Sequence, residues 1–453
     1  METKVRREDP LWAKLLSLAF AFVILAVLEV SARLILPETL LDRITDVLTQ
    51  DAVLFWRNRP NMDTRFEGTR IITDSMGLRV GKRAGNEANS KRAGVLRIIC
   101  LGASPTFGWG VKYEEAYSQQ LERLLRGRGI RAEVINAGMI GYTSHQGKLL
   151  LEREIAGLEP DLVTVNYVVN DIDKYRFYRT NGKPDITLGP QNANIVWMRN
   201  IIDRSRFVRL LEKGIHYIGK GRSAFEGKSV EMFRPGEVRV PVGQYHSNLR
   251  DIIQFCSSRG IRVVLVKLPV NLPVARKVDK RQRDDARKHL SRGIRLVNAN
   301  DCERAVMELR RAAARDPNES EAYYFLGVCY RRMGDSKRTD RAFAKAFRSE
   351  AYRCGRDGLI YNREMDLVGK ETGTPVADIP AAFRRHKGEY LFISPKTDPI
   401  HPNAKGHRII GREIFKEVMK SISQSEKADD GKIISNVKVQ MSNEFKRSND
   451  NYL

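Results

Sequence analysis

The sequence predicts an α/β protein with a mainly parallel sheet. Three observations lead there. Short, unbroken apolar runs recur after residue 95; amphipathic helical stretches lie between them; and the runs give way to Gly, Asn or Asp, as buried strands do where they enter loops. At 453 residues the chain is too long for one compact core, so two or three units are expected.

Taken in order, residues 1–10 carry Lys4, Arg6 and Arg7 and precede an apolar stretch over residues 11–36. Leu15–Leu28 reads LLSLAFAFVILAVL without a charge. That run alone is short for a bilayer span of about 20 residues, but the stretch from Leu11 to Leu36 is long enough. Lys14 can snorkel at one end, and Glu29 and Arg33, spaced i,i+4, can pair near the other. The basic residues in front put the N-terminus in the cytoplasm and the remainder outside, as a single-pass anchor. A cleaved signal peptide is the alternative; no small-x-small cleavage site followed by a mature start stands out.

Residues 37–94, with Pro60 and several glycines, read as a turn-rich connector with some strand character. The first parallel strand is Leu96–Leu101 (LRIICL), closed by Gly102. Tyr117, Leu121, Leu124 and Leu125 follow a helical period, Glu133–Asn136 is the second strand, and Leu162–Tyr167 the third. These make residues 95–175 the first part of the α/β domain. Residues 176–245 show no clean alternation and read as a loop-rich insertion. The domain resumes over 246–278, with helical Leu249, Ile252, Ile253 and Cys256 and a fourth strand, Ile261–Leu268. It closes over 358–420, with Pro375–Asp378 as a fifth strand and a last helix from Asn403 carrying Ile410, Ile414 and Val418. Residues 421–453 form a polar tail with little to bury.

Between these parts, residues 279–357 are helical and repetitive. Tyr323, Leu326, Gly327, Tyr330, Gly334, Phe343 and Ala346 resemble the tetratricopeptide pattern, and Gly293, Ala305, Leu309, Ala312 and Pro317 occupy the preceding repeat at its period of about 34 residues. Two such repeats are fewer than a free-standing solenoid needs, so the unit is expected to lean on the α/β domain and to offer a surface for a protein partner.

Composition narrows the class. A net charge of +24 suits an anionic surface, such as lipid headgroups or acidic glycans, but no aromatic-interleaved basic block points to nucleic acid. The five cysteines are scattered, without a disulfide framework or a CxxC pair, and no metal-ligand cluster or cofactor motif is present. Cys302 and Cys329 could be neighbours on packed helices.

Four blocks carry chemistry. In LGASPTFGWG, Ser104 follows the first strand, where ligands bind at the carboxyl edge of such sheets; a hydroxyl there is a nucleophile only if a base takes its proton. In INAGMIGYTS, Gly138 follows the second strand, where a backbone N–H can approach a developing oxyanion. In VNYVVNDID, Asn170 offers an amide as another donor. In TDPIHPNAKGH, Asp398 and His401 stand three residues apart, a spacing that lets the carboxylate hold the imidazole Nδ1 and aim Nε2 at a nucleophile. His145 and His407 have no comparable setting.

Ser, Gly, Asn and Asp-x-x-His in this order resemble the SGNH (GDSL-like) hydrolase family over roughly residues 95–175, 246–275 and 358–420. The resemblance implies a flavodoxin-like, three-layer α/β/α fold. It implies Ser104 as nucleophile, His401 as general base and acid, Asp398 as its orienting carboxylate, and an oxyanion hole of the Ser104 N–H, the Gly138 N–H and the Asn170 side chain. Two positions depart from the family pattern: Ala103 stands where Asp is common before the Ser, and Val168 where Gly is common before the Asn. The expected activity is that of an extracytoplasmic, membrane-anchored serine esterase or deacetylase acting on an acylated small molecule or an envelope glycan. The alternatives are an O-acyltransferase for a cell-envelope polysaccharide and a scaffold with weak or no catalysis.

Overall fold

A computed structural model of the chain describes residues 10–35, 46–66, 68–81, 91–174, 183–208, 210–211, 237–270, 278–394, 398 and 400–428. The apolar stretch forms one helix, α1 (Leu11–Ile35), long enough to cross a bilayer and almost wholly exposed. A hairpin follows, β1 (Leu48–Asp51) and β2 (Phe55–Asn58), turned by the Asp51 carboxylate, which accepts the Val53 and Leu54 N–H groups at 2.8 and 2.7 Å. Next come β3 (Asp63–Phe66), β4 (Thr69–Thr73) and β5 (Arg79–Val80).

The α/β part contributes β6 (Leu96–Gly102), the single turn α2 (Ser104–Phe107), α3 (Tyr117–Gly127), β7 (Ala132–Gly138), α4 (Ser144–Arg153), β8 (Leu162–Asn166) and a second single turn, α5 (Val169–Ile172). The stretch read as a loop-rich insertion, 176–245, contains a helix, α6 (Ala193–Arg204), and the start of α7 (Val242–Ser257); residues 175–182 and 212–236 lie outside the described residues. After β9 (Arg262–Val266) the chain makes four long helices: α8 (Lys280–Asn298), α9 (Cys302–Arg315), α10 (Ser320–Arg332) and α11 (Ser336–Thr372). The two-residue strand β10 (Val376–Ala377), α12 (Ile379–Arg385) and α13 (Ala404–Ala428) complete it. The last helix runs past residue 420, where the sequence places the start of the tail; residues 429–453 lie outside the described residues.

Strands β7, β6, β8, β9 and β10 pair in parallel in that spatial order. Counting along the chain from β6, this is the 2-1-3-4-5 order of a doubly wound sheet, whose ligand crevice lies at the carboxyl ends beside the first strand. The sheet does not stop at β7. Strand β5 pairs antiparallel with it through Arg79 and Asn136, and β4 and β3 follow, so among the described residues the sheet has eight strands and is mixed. Residues 37–94, expected to be a turn-rich connector with some strand character, in part extend the sheet. The alternation is too short to read there: β5 spans two residues.

The sheet is covered on both faces, so its central strands are continuous apolar runs. Side chains alternate across it. Ile98, Cys100, Val134 and Val264 pack under α3 and α13 through Leu121, Leu125, Ile410, Ile414 and Val418. Ile99, Leu101, Val163 and Leu265 pack under α4, α7 and α11 through Leu150, Ile252, Tyr361, Met365 and Val368.

The four long helices have a separate core of Leu290, Ala305, Leu309, Leu326, Cys329 and Ala346. A Cβ on Gly293 would meet Leu309, and a Cβ on Gly327 would meet Phe343, so the same close approach recurs 34 residues later (327 − 293 and 343 − 309). Cys302 and Cys329 are buried free thiols; burial, then the neighbouring Cys302, pushes the Cys329 thiol up to about 12. Helix α11 belongs to both cores: Ala342 and Ala346 lie in the helical unit, Tyr361, Met365 and Val368 against the sheet. The boundary expected at residue 357 falls inside this unbroken helix.

Candidate active site

Strand β6 ends at Gly102, whose missing side chain leaves room for Thr106 and the Asn166 carbonyl. The chain then turns directly into α2, with Ser104 as its first residue and Pro105 next, a favourable residue for a first helical turn. Ser104 is buried, and among the described residues nothing accepts its backbone N–H. The turn is held from behind. Arg79 of β5, itself buried, donates from Nη1 to the Phe107 carbonyl at 2.7 Å and from Nη2 to that of Val111 at 2.7 Å.

The Ser104 Oγ lies 2.8 Å from His401 Nε2, across 297 residues of sequence. His401 Nδ1 lies 2.9 Å from Asp398 Oδ2. The other Asp398 oxygen, Oδ1, accepts the backbone N–H groups of Ile400 and His401 at 3.0 and 2.9 Å. Burial raises the Asp398 pKa, but the neighbouring His401 and these two N–H groups outweigh it and hold the carboxyl below its usual range. The loop is fixed at both ends: the Ile393 N–H donates to the His401 carbonyl at 2.9 Å, and Asn403 Oδ1 accepts the Lys405 and Gly406 N–H groups at 3.0 Å to start α13. Trp109 stacks on the His401 ring at 5.6 Å between centroids and is itself met edge-on by Phe66 of β3 at 4.9 Å.

Gly138, the last residue of β7, and Asn170, in α5 after β8, stand at the same edge of the sheet. Gly138 is needed for space, since a Cβ there would run into the Phe107 backbone. Its N–H, however, donates to Asn136 Oδ1 at 3.0 Å. The free donor is three residues on: among the described residues nothing accepts the N–H of Gly141, which holds a left-handed φ of 78° in the turn leading to α4. Asn170 Nδ2 donates to the Tyr142 carbonyl at 3.0 Å, which sets its amide beside that turn.

The turn is tightly constrained. Trp56 Nε1 donates to the Ile140 carbonyl at 2.9 Å, fixing the peptide whose other face carries the Gly141 N–H. Asn58 Oδ1 accepts the Ile140 N–H at 3.1 Å, and its Nδ2 donates to the Gly138 carbonyl at 2.9 Å. Arg239 donates to the Gly141 carbonyl at 2.7 Å and pairs with Asp185 at 2.8 Å, both side chains buried. Trp56, Asn58 and Arg79 come from the segment before the first parallel strand, and sequence reasoning assigned them nothing. Isolated Trp, Asn and Arg in a turn-rich stretch carry no pattern that marks them.

His407 is buried in the same region. Its Nδ1 accepts the Tyr117 N–H at 3.2 Å, and burial, then the charges of Arg79 and His401, lowers its pKa to about 3. It is a neutral packing group against Tyr117. Among the described residues, no group of three or more His, Cys, Asp and Glu side chains could hold a metal ion.

A hydroxyl at the switch point of a doubly wound sheet, in reach of an imidazole held by a carboxylate, has the layout by which a serine attacks an acyl group. That layout defines a class, the serine acylhydrolases. Residues 100–327 match the model of the GDSL-like lipase/acylhydrolase family, and the chain belongs to it: it is an esterase of the SGNH/GDSL type, acting on ester bonds. No curated protein matches the chain. Among solved structures it is similar to the lipase/acylhydrolase of Enterococcus faecalis (15% identity, 72% of this chain and 96% of that one, TM-score 0.32). It is also similar to an acetylxylan esterase of Geobacillus stearothermophilus (13%, 71% and 93%, 0.35). A third is an α/β hydrolase enzyme from the metagenome of Lake Arreo, Spain (14%, 71% and 94%, 0.34).

Proposed function

We propose that the chain is a membrane-anchored serine esterase or deacetylase that works through an acyl-Ser104 intermediate. The observation that carries this is the continuous relay from Ser104 Oγ to His401 Nε2 at 2.8 Å and from His401 Nδ1 to Asp398 at 2.9 Å. His401 takes the Ser104 proton as Oγ bonds to the acyl carbon, and returns it to the departing alkoxide. Water, deprotonated by the same imidazole, then attacks the acyl carbon; the acyl–Oγ bond breaks, the carboxylic acid leaves, and Ser104 Oγ takes the proton back from His401. Asp398 stays ionised and keeps the Nδ1–H tautomer. The oxyanion is met by the Ser104 N–H and the Asn170 amide. The backbone donor of the β7 turn is the Gly141 N–H, since that of Gly138 is already taken by Asn136.

In this reading α1 is an uncleaved anchor, the N-terminus is cytoplasmic, and the catalytic domain acts outside on an acylated small molecule or envelope glycan. Helices α8–α11 form a tetratricopeptide-like unit, supported by the equivalent Gly293–Leu309 and Gly327–Phe343 contacts, and offer a surface to a protein partner.

A fluorophosphonate probe tests the nucleophile: wild type is labelled and Ser104→Ala is not, whereas equal labelling removes Ser104 from the role. p-Nitrophenyl acetate, offered with and without an acceptor oligosaccharide, tests the acceptor. Acetate release without acetylated sugar by mass spectrometry is expected; efficient transfer to sugar would make the enzyme an O-acyltransferase.

A further inference from the structure

Helix α6 is amphipathic in the reverse sense. The side it turns to the fold is largely polar: Asn200 accepts the Gln50 N–H at 2.8 Å, and Gln50 Nε2 donates to Asp203 at 2.7 Å, with buried Val196 one turn earlier on the same face. The side turned away is apolar, with Trp197 65%, Met198 54%, Ile201 50% and Ile195 49% exposed. Four large apolar groups on one outward face of a twelve-residue helix are more than scattered surface hydrophobes.

The residues following α6 are fastened to α1. Glu29 accepts the Ser205 hydroxyl at 2.7 Å and the N–H groups of Arg206 and Phe207 at 3.2 and 3.0 Å. Arg33 donates to the Arg204 carbonyl at 2.9 Å, and Arg206 donates to the Arg33 carbonyl at 3.2 Å. At about 1.5 Å per residue, Glu29 lies roughly 27 Å along α1 from Leu11, near the far boundary of a hydrocarbon layer about 30 Å thick.

We propose that α6 is a second membrane contact, lying in the outer lipid interface beside the exit of α1, with its apolar face in the acyl-chain boundary. The inference rests on α1 being retained as an anchor. Continuity with α1 selects a lipid surface as the occupant, because the Glu29 and Arg33 bonds bring the end of α6 to the depth where headgroups begin. The chemistry of the face agrees. A Trp with aliphatic neighbours suits an interfacial helix, and Arg33, Arg199 and Arg204 at its margins suit anionic headgroups. Two points of attachment would hold the α/β domain in one orientation over the bilayer, where a single helix would let it swivel.

The full chain, reconstituted in phosphatidylcholine–phosphatidylglycerol vesicles with brominated acyl chains, tests this. Its four tryptophans are Trp12, Trp56, Trp109 and Trp197, so Trp12→Phe removes the emitter in α1. The brominated lipid is expected to quench Trp12→Phe, and the additional Trp197→Phe is expected to abolish that quenching, with hydrolysis of p-nitrophenyl acetate unchanged in both. Equal quenching of the two variants overturns the inference. Intact mass of the membrane-extracted protein separates the underlying reading: loss of α1 from the mature chain refutes the anchor, and quenching specific to Trp197 would still support the surface helix. Cross-linking of Met198→Cys copies to each other in the same vesicles would assign the face to a second copy of the chain and overturn the lipid contact.

Discussion

Asp398→Asn is the sharpest probe of the relay, because the structure dictates how the new amide must sit. Asp398 Oδ1 is held by two backbone N–H groups, those of Ile400 and His401, at 3.0 and 2.9 Å. Only an oxygen satisfies them, so the Asn oxygen takes that place and its NH2 group takes the place of Oδ2, 2.9 Å from His401 Nδ1. A donor there requires Nδ1 to accept, which moves the ring proton to Nε2. An Nε2–H facing Ser104 Oγ cannot receive the serine proton. The backbone fold of the loop is preserved, while the reactive tautomer is lost. A wrong tautomer of this kind lowers kcat by about four orders of magnitude, or about 5 kcal/mol of transition-state stabilisation. The assay is p-nitrophenyl acetate turnover by purified full-length protein, with circular dichroism to show the fold intact. A kcat within tenfold of wild type would refute the argument that Asp398 sets the tautomer.

Two further outcomes are expected. Trp56→Phe keeps an aromatic ring over Arg239 but removes the indole N–H that binds the Ile140 carbonyl, so the Gly141 peptide loses a restraint. Turnover should fall roughly tenfold, below the hundredfold cost of deleting an oxyanion donor outright, with KM unchanged and thermal stability reduced by about 1–3 kcal/mol; unchanged kcat would confine Trp56 to packing. Asp171 is buried, and although its Oδ1 accepts two bonds from Ser144, burial dominates and raises its pKa to about 7. An acid whose folded pKa exceeds its unfolded value holds its proton more tightly when folded. Its contribution is therefore harmless below about pH 4, costs stability progressively as pH rises to about 7, and is constant above, by a few kcal/mol in all. Asp171→Asn should flatten that part of the stability–pH curve in urea unfolding; an unaltered slope between pH 4 and 7 would show that Asp171 is ionised in the fold.

The sequence carried the parallel sheet because β6, β8 and β9 are buried on both faces and so appear as plain apolar runs, Ile98–Leu101 among them. That Ser104, Asp398 and His401 lie within hydrogen-bond reach was suggested by a different signal: a relay needs fixed residue types, and these stand next to a strand end or a helix start. The proposed Gly donor of the turn carried a weaker signal. Both Gly138 and Gly141 occur in INAGMIGYTS, and only the Asn136 side chain, by taking the Gly138 N–H, tells them apart. The antiparallel extension showed in the sequence only as some strand character, since β3 to β5 are short strands with exposed or charged positions. Trp56, Asn58 and Arg79 were not legible. They act on the site through backbone carbonyls and amides, and a side chain that binds backbone leaves no partner residue type to recognise.

Helix α11 gives the molecule a beam rather than a joint. Its 37 residues span roughly 55 Å, and one end is gripped by helices α8–α10 while the other is gripped by the sheet at Tyr361, Met365 and Val368. Any swing of one unit against the other must bend that beam and break its i→i−4 bonds. Helices α8–α10 are thereby held at a set distance and angle from the sheet. The same continuity means that the unit cannot be cut away at residue 357 without leaving the remaining half of the beam to begin in mid-turn, uncapped, above the sheet it has to cover.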